Sequence, residues 1–141
     1  MALDNIFGIA GSALNAQTVR MNATASNLAN GGTVAGTEQE AFRGKRAVFK
    51  TILEGQMGGQ DRTAKGGVRV VQIVDDPKPI TRQSDPGNPA ADKDGYVYIS
   101  NVNEMSEMVD MMAAARSYQN NVEVVNTARQ LTMRTLDIIK A

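Results

Sequence analysis

Positions Leu3, Phe7, Ala10, Leu14, Gln17, Met21, Thr24 and Leu28 follow alternating steps of four and three. That spacing places them on one side of a helix. The large apolar members, Phe7, Leu14, Met21 and Leu28, are seven apart, while Ala10, Gln17 and Thr24 between them are small or polar. The pattern predicts a helix from Leu3 to Asn30, roughly 42 Å long. Its other face is Ser12, Asn15, Thr18, Asn22, Ser26 and Asn27, and Asp4 and Arg20 are the only charges before Glu38. Water-facing helices normally carry paired Glu and Lys. An uncharged amide and hydroxyl face suits either a helix partly disordered when alone or one that orders between neighbouring subunits.

A second periodic stretch predicts a helix from Asn103 to Lys140, roughly 57 Å long. Asn103 supplies an N-capping oxygen. Glu104, Glu107 and Asp110 near the start, with Arg129, Arg134 and Lys140 toward the end, match the helix dipole. Met111, Ala115, Tyr118, Val122 and Val125 form one stripe, resumed by Thr132, Leu136 and Ile139. Val124, Ala128, Leu131, Thr135 and Ile138 form another beside it. Two adjacent apolar stripes imply more than one helical neighbour. Met105, Met108, Met111 and Met112 cluster near the start, as an adaptable interface or as an ordinary helix core.

Between the helices the period changes. Arg46 to Leu53 and Val68 to Val74 have strand composition, and Ile80 to Gln83 with Tyr96 to Ser100 suggest another pair. Glu54 to Gly67, with five glycines, reads as a mobile loop. All four prolines fall between Pro77 and Pro89, and nine of thirteen glycines between Gly31 and Gly67. The expected organisation is therefore a helix over 1–30, a loop and short-strand middle over 31–101, and a helix over 102–141.

Composition then removes chemistries. The 141 residues hold 15 Lys plus Arg against 15 Asp plus Glu, with no His and no Cys. The commonest general base, thiolate nucleophiles and Cys-ligated zinc are excluded. Zero net charge argues against a nucleic-acid or anionic-lipid surface. Asp92-Lys93-Asp94-Gly95 resembles part of a calcium loop but lacks its terminal acidic ligand, and reads as a turn. Gly31-Gly32 and Gly66-Gly67 precede no Lys-Ser/Thr, and Asp75-Asp76 before Pro77 reads as a strand exit. We expect no enzyme, no cofactor and no metal. No run is apolar enough for a bilayer, and Met1 to Asn5 lacks the basic start of a secretory signal.

Four patterns together resemble the flagellar rod, hook and hook-filament junction family of bacterial axial proteins. They are Ile9-Ala10-Gly11-Ser12-Ala13-Leu14 leading to Ala25-Ser26-Asn27-Leu28-Ala29-Asn30; Asp85-Pro86-Gly87-Asn88-Pro89 with Ala91-Asp92 and Gly95-Tyr96-Val97; Asn101-Val102-Asn103 with Glu107-Met108-Val109; and Ala114-Ala115-Arg116-Ser117-Tyr118-Gln119-Asn120-Asn121-Val122. The second, with the short chain, is most similar to the proximal rod members.

The resemblance implies a structural subunit of the flagellar basal-body rod, polymerised around the export channel and transmitting torque to the hook. It implies a mainly α fold in which the terminal helices pair as an antiparallel coiled coil beside a small irregular β/loop middle. It further implies passage through the flagellar type III export apparatus without a cleaved signal, and a periplasmic place in the hook–basal body. The partners would be copies of itself and other rod proteins, with no nucleic acid and no membrane insertion. Leu3, Phe7, Leu14, Met21 and Leu28 are then expected to pack on Tyr118, Val122, Val125, Leu136 and Ile139. Met108 and Met112 belong to the same assembly surface, and Arg116 to a charge pair with a neighbour. The alternative is a soluble helical adaptor, or a protein associated with the export apparatus, that binds a partner through its terminal helices.

Overall fold

The computed structural model describes residues 2–52 and 66–140. Helix α1 runs Ala2–Asn30, followed by strands β1 (Val34–Ala35), β2 (Lys45–Ile52), β3 (Gly67–Asp75), β4 (Thr81–Ser84) and β5 (Tyr96–Ile99), then helix α2 (Glu104–Lys140). The glycine-rich loop expected between the first two long strands falls largely on residues 53–65, outside the described ones. So does the side chain of Leu3.

Helix α1 stops where Gly31 and Gly32 interrupt helix propensity. The N–H of Gly31 donates to the Leu28 carbonyl and that of Thr33 to the Asn30 carbonyl, which satisfies two end carbonyls. Helix α2 starts on Asn103, whose Oδ1 accepts the N–H of Ser106 at 2.9 Å. Glu104 and Glu107 occupy its first turn, where the dipole favours anions.

Two antiparallel sheets separate the helices in sequence. One has the order β1-β5-β4, with Val34 opposite Ile99, and Thr81, Arg82, Gln83 and Ser84 opposite Ile99, Tyr98, Val97 and Tyr96. The other pairs β2 with β3. The expected class, mainly α with an irregular middle, is therefore corrected. Among the described residues 66 are helical and 27 lie in strands, so the chain is a mixed α and β protein with an organised middle. The reason is local: segments rich in Val, Ile and Tyr complete their backbone hydrogen bonds in ladders. Gly and Pro mark the turns between those ladders.

The chain divides into two compact units. The first comprises Met1–Val19, Val48–Gln72 and Ala113–Ala141, and the second Arg20–Ala47 and Ile73–Met112. In the first, the buried apolar residues are Ala10, Ala16, Ala114 and Ala128. Strand β3 is tied to α1 there: Ser12 Oγ donates to the Ile9 carbonyl at 2.7 Å and accepts the N–H of Val68 at 3.1 Å. Gly67 has φ +134°, and a Cβ on it would stand 2.8 Å from Ser12 Oγ. In the second unit the buried set is Ala23, Ala41 and Val97, joined by Thr24, Asn27, Asp76, Ser100 and Glu107. Small residues fill one interior, and polar groups occupy much of the other. No helix among the described residues is long and apolar enough to cross a membrane.

Candidate functional site

The second unit is built around a polar clasp. Asn27, in the last turns of α1, is fully buried and uses both ends of its amide on one residue. Its Nδ2 donates to the Lys45 carbonyl at 2.9 Å, and its Oδ1 accepts the Lys45 N–H at 2.6 Å. Asn101 holds the preceding residue, Gly44, by its N–H alone. Its Oδ1 accepts the N–H of Gly44 at 2.8 Å, and its Nδ2 donates to the carbonyls of Asp76 and Lys78 at 3.1 and 2.8 Å. The N–H of Asp76 returns to the Gly44 carbonyl at 2.6 Å. Two asparagines from distant parts of the chain thus hold the backbone where β2 begins.

Charged groups surround this grip. Glu107, 1% exposed, accepts from Asn27 Nδ2 at 2.9 Å and pairs with Arg46 at 2.9 Å. Arg46 also reaches Asp76 at 3.2 Å and Asp110 at 3.3 Å, and Asp110 is shared with Arg20 at 3.2 Å. Lys45 pairs with Asp75. Burial disfavours charge on Arg46, but its hydrogen bond to Asp76 and the attraction of Glu107, Asp76 and Asp110 outweigh it and raise its pKa. The N–H of Lys78 most strongly favours the Asp76 anion. Burial opposes it and Arg46 adds to it, so the carboxyl sits below its ordinary value. A planar fork serving three carboxylates suits Arg and not Lys.

A self-contained turn joins β4 to β5. The N–H of Asp85 donates to the Gly95 carbonyl at 2.9 Å, and Asn88 Nδ2 donates to the Asp85 carboxylate at 3.2 Å. The Asp92 carboxylate accepts the N–H groups of Tyr96 and Asp94, both at 2.9 Å. The Tyr96 bond is the main cause of its lowered pKa; burial opposes the shift, and the Asp94 N–H and Arg82 add to it. Arg82 lies 3.8 Å from the Tyr96 ring centroid and pairs with Asp92 at 3.5 Å. Asp92 is spent on holding a turn, which accounts for its spacing without a cation.

The large apolar side chains lie outward. In the first unit Phe7 is at the margin of exposure, Val122 and Leu136 are exposed, and Ile139 is 75% exposed. Leu14, Tyr118 and Val125 there are half-buried, and Arg116 is exposed. Ile6, Val124, Ala128 and Leu131 line an open, mainly apolar groove of about 350 Å³ in the same unit. In the second unit Met21 and Leu28 are half-buried, while Met108 and Met112 are exposed.

Sequence reasoning placed Ala10, Thr24 and Ala128 on its helical stripes, and all three are buried; it missed Ala16, Ala23 and Ala114, and the clasp of Asn27, Arg46, Asp76 and Glu107. A signal existed for the alanines. Ala16 and Ala23 are seven apart, and Ala114 and Ala128 fourteen, an in-phase helical repeat beside the bulkier stripes. For the clasp, Asn27, Asn101 and Glu107 stood inside the quoted motifs, with no indication that they meet.

Known proteins share this arrangement of motifs. Residues 7–34 match the family described as flagella basal body rod protein, and residues 93–138 the family described as flagellar basal body rod FlgEFG protein C-terminal. These are the two helical ends with the adjoining turn and strand, so the class is that of the flagellar rod proteins, which are structural subunits. The chain is 49% identical over 138 residues to the flagellar basal-body rod protein FlgC of Yersinia enterocolitica, covering 98% of each chain. It is 45% identical to FlgC of Salmonella typhimurium over the same share. FlgC of Bacillus subtilis is 35% identical over 143 residues, with 94% of this chain and 95% of the relative covered. The chain belongs to the FlgC family of flagellar basal-body rod proteins. It is a structural subunit of the basal-body rod and assembles there with other basal-body proteins.

Proposed function

We propose that this subunit polymerises with copies of itself and with other rod proteins around an axial export channel, in the proximal part of the rod, and carries torque toward the hook. The carrying observation is the inversion of side-chain size. Among the described residues six of the seven buried apolar ones are alanines, whereas Ile9, Val71, Leu131, Ile138, Ile139 and several methionines are exposed. Extended apolar surface of that kind marks contact with partners. Torque transmission needs no reaction; it needs many contacts that resist shear together.

In the assembled rod, Leu3, Phe7, Leu14, Met21, Leu28, Tyr118, Val122, Val125, Leu136 and Ile139 pack within and between subunits. Arg116, exposed in the single chain, takes a carboxylate or carbonyl of a neighbour. The subunit reaches the periplasm through the flagellar type III apparatus.

The test is complementation of a strain lacking its own copy, with purification of hook–basal bodies. Recovery of the chain in those particles, and its loss with Val125→Asp, is the expected result. Exclusive cytosolic recovery, or normal swimming of the Asp variant, would overturn the reading.

A further inference from the structure

Helix α2 turns about 100° per residue, which places Met105, Met108, Val109 and Met112 within an arc of about 100°. The opposite side of the same turns carries Glu107, buried in the clasp, and half-buried Asp110 and Met111. Met105 is 73% exposed, Met108 52% and Met112 58%, with Val109 at 56%. Three thioethers on one face of a fully formed helix are thus open to solvent without any unfolding. Met21 and Met111 in the same unit are half-buried.

We propose that Met105, Met108 and Met112 form a sulfoxidation site of the unassembled subunit, whose oxidation by hypochlorous acid blocks incorporation and whose reduction restores it. Thioether susceptibility follows exposure, and the sulfoxide is polar and chiral where the thioether was apolar and adaptable. In each step the sulfur loses two electrons and gains an oxygen, while the chlorine of HOCl takes those electrons; the products are sulfoxide, chloride and a proton. Reversal by the sulfoxide reductases consumes a dithiol, giving thioether, disulfide and water. Three sulfoxides on one face would oblige a neighbour to cover three polar S=O groups, and unpaired buried polar groups are costly. The clasp faces away from the stripe, so the subunit keeps its fold. The effect on assembly rests on the rod-subunit reading above; the selectivity of oxidation does not.

The experiment treats the purified full-length chain with limiting hypochlorous acid and follows each methionine by peptide mass spectrometry. Met105, Met108 and Met112 should oxidise roughly tenfold faster than Met21 and Met111, with unchanged circular dichroism. Equal rates, or oxidation only with loss of helix, would overturn the site. Treated and untreated chains are then offered to rod particles lacking this subunit. Untreated chain incorporates, treated chain does not, and treatment with both epimer-specific reductases and a dithiol restores it. Each compared with its own untreated chain, a Met105→Leu/Met108→Leu/Met112→Leu variant should keep its incorporation after the oxidant, whereas Met133→Leu, at an exposed methionine of the other unit, should lose it. Incorporation of treated wild-type chain, failure of reductase rescue, or protection by Met133→Leu would overturn the proposed control. Failure of untreated wild-type chain to incorporate would overturn the rod reading and leave the oxidation rates to judge the site alone.

Discussion

Asn27 holds both backbone polar groups of Lys45: its amide nitrogen is 2.9 Å from the carbonyl oxygen, and its carbonyl oxygen is 2.6 Å from the amide nitrogen. One side chain thereby imitates a neighbouring strand and fixes where β2 leaves the loop. The same amide nitrogen also donates to Glu107, so a buried carboxylate, a helix and a strand depend on one residue.

Asn27→Ala would leave the Lys45 N–H and one Glu107 oxygen without that partner. We expect a loss of about 3 kcal/mol, because a buried unsatisfied group costs more than the bond itself was worth. Asn27→Asp should be worse at neutral pH, setting a second anion beside Glu107. Urea unfolding checks both, and an Ala variant within experimental error of the wild type would sink the argument.

Arg46→Lys keeps a charge but loses the fork that reaches Asp76, Glu107 and Asp110. With the guanidinium partly exposed and its ion pairs discounted for solvent screening, the expected loss is about 1–2 kcal/mol. Arg46→Met should cost more than Arg46→Lys, since Glu107 then loses its cation. Equal losses in the two variants would argue against bidentate geometry as the reason for arginine.

Acid should loosen the clasp. The pKa of Asp76 is lower in the folded chain than in the unfolded one. Its contribution is therefore complete above the unfolded value, near about 3.9, and is lost as pH falls through the folded value. Denaturation series from neutral pH downward should show stability falling below about pH 4. Asp76→Asn should be less stable at neutral pH and should show a flatter acid limb; an acid limb as steep as the wild type's would assign the effect to other carboxylates.

Gly95 has φ +78°, and a Cβ there would lie 3.2 Å from the Pro86 ring. Gly95→Ala should cost about 1–2 kcal/mol from the left-handed backbone alone. Pro86→Gly in the same chain removes the Cβ and Cγ that make the contact but not the strain, so it should restore only part of the loss. Thermal unfolding of the single and double variants separates the two causes; complete rescue by Pro86→Gly would refute the backbone term.

Ala114 is 0% exposed. Ala114→Leu should cost about 1–3 kcal/mol through overpacking and should also reduce recovery in hook–basal bodies. Ala114→Gly lowers helix propensity by about 1 kcal/mol without adding volume, and so controls for stability alone. Assembly that tracks stability equally in both variants would mean the buried alanine has no steric part in forming the subunit surface.

Much of the fold was readable as local pattern. Four-three spacing marked both helices, β-branched runs marked β2 and β3, and Asn103 marked the start of α2. The glycines and prolines misled where they suggested an irregular middle, because they stand at turns between ordered strands. The seam of α1 was legible only in part. Its small members Ala10 and Thr24 are buried, its large members Leu14, Met21 and Leu28 are half-buried in the single chain, and Ala16, Ala23 and Asn27 are buried beside them. Periodicity reports that a helix has an apolar side; it does not report how closely a neighbour approaches it.

By itself the sequence determined the elements and the absence of His- and Cys-based chemistry, and its motifs carried the resemblance to axial proteins. These depend on nearby residues, on composition, or on short ordered patterns. Only the tertiary structure decided that Asn27, Lys45, Arg46, Asp76, Asn101 and Glu107 meet. In the linear chain a buried Glu107 looks the same as a solvated one. Its partners lie tens of residues away, and the cost of burying it is offset only once they arrive. The same holds for the exposed methionines of α2: their spacing puts them on one face, but the clasp on the other side turns that face outward.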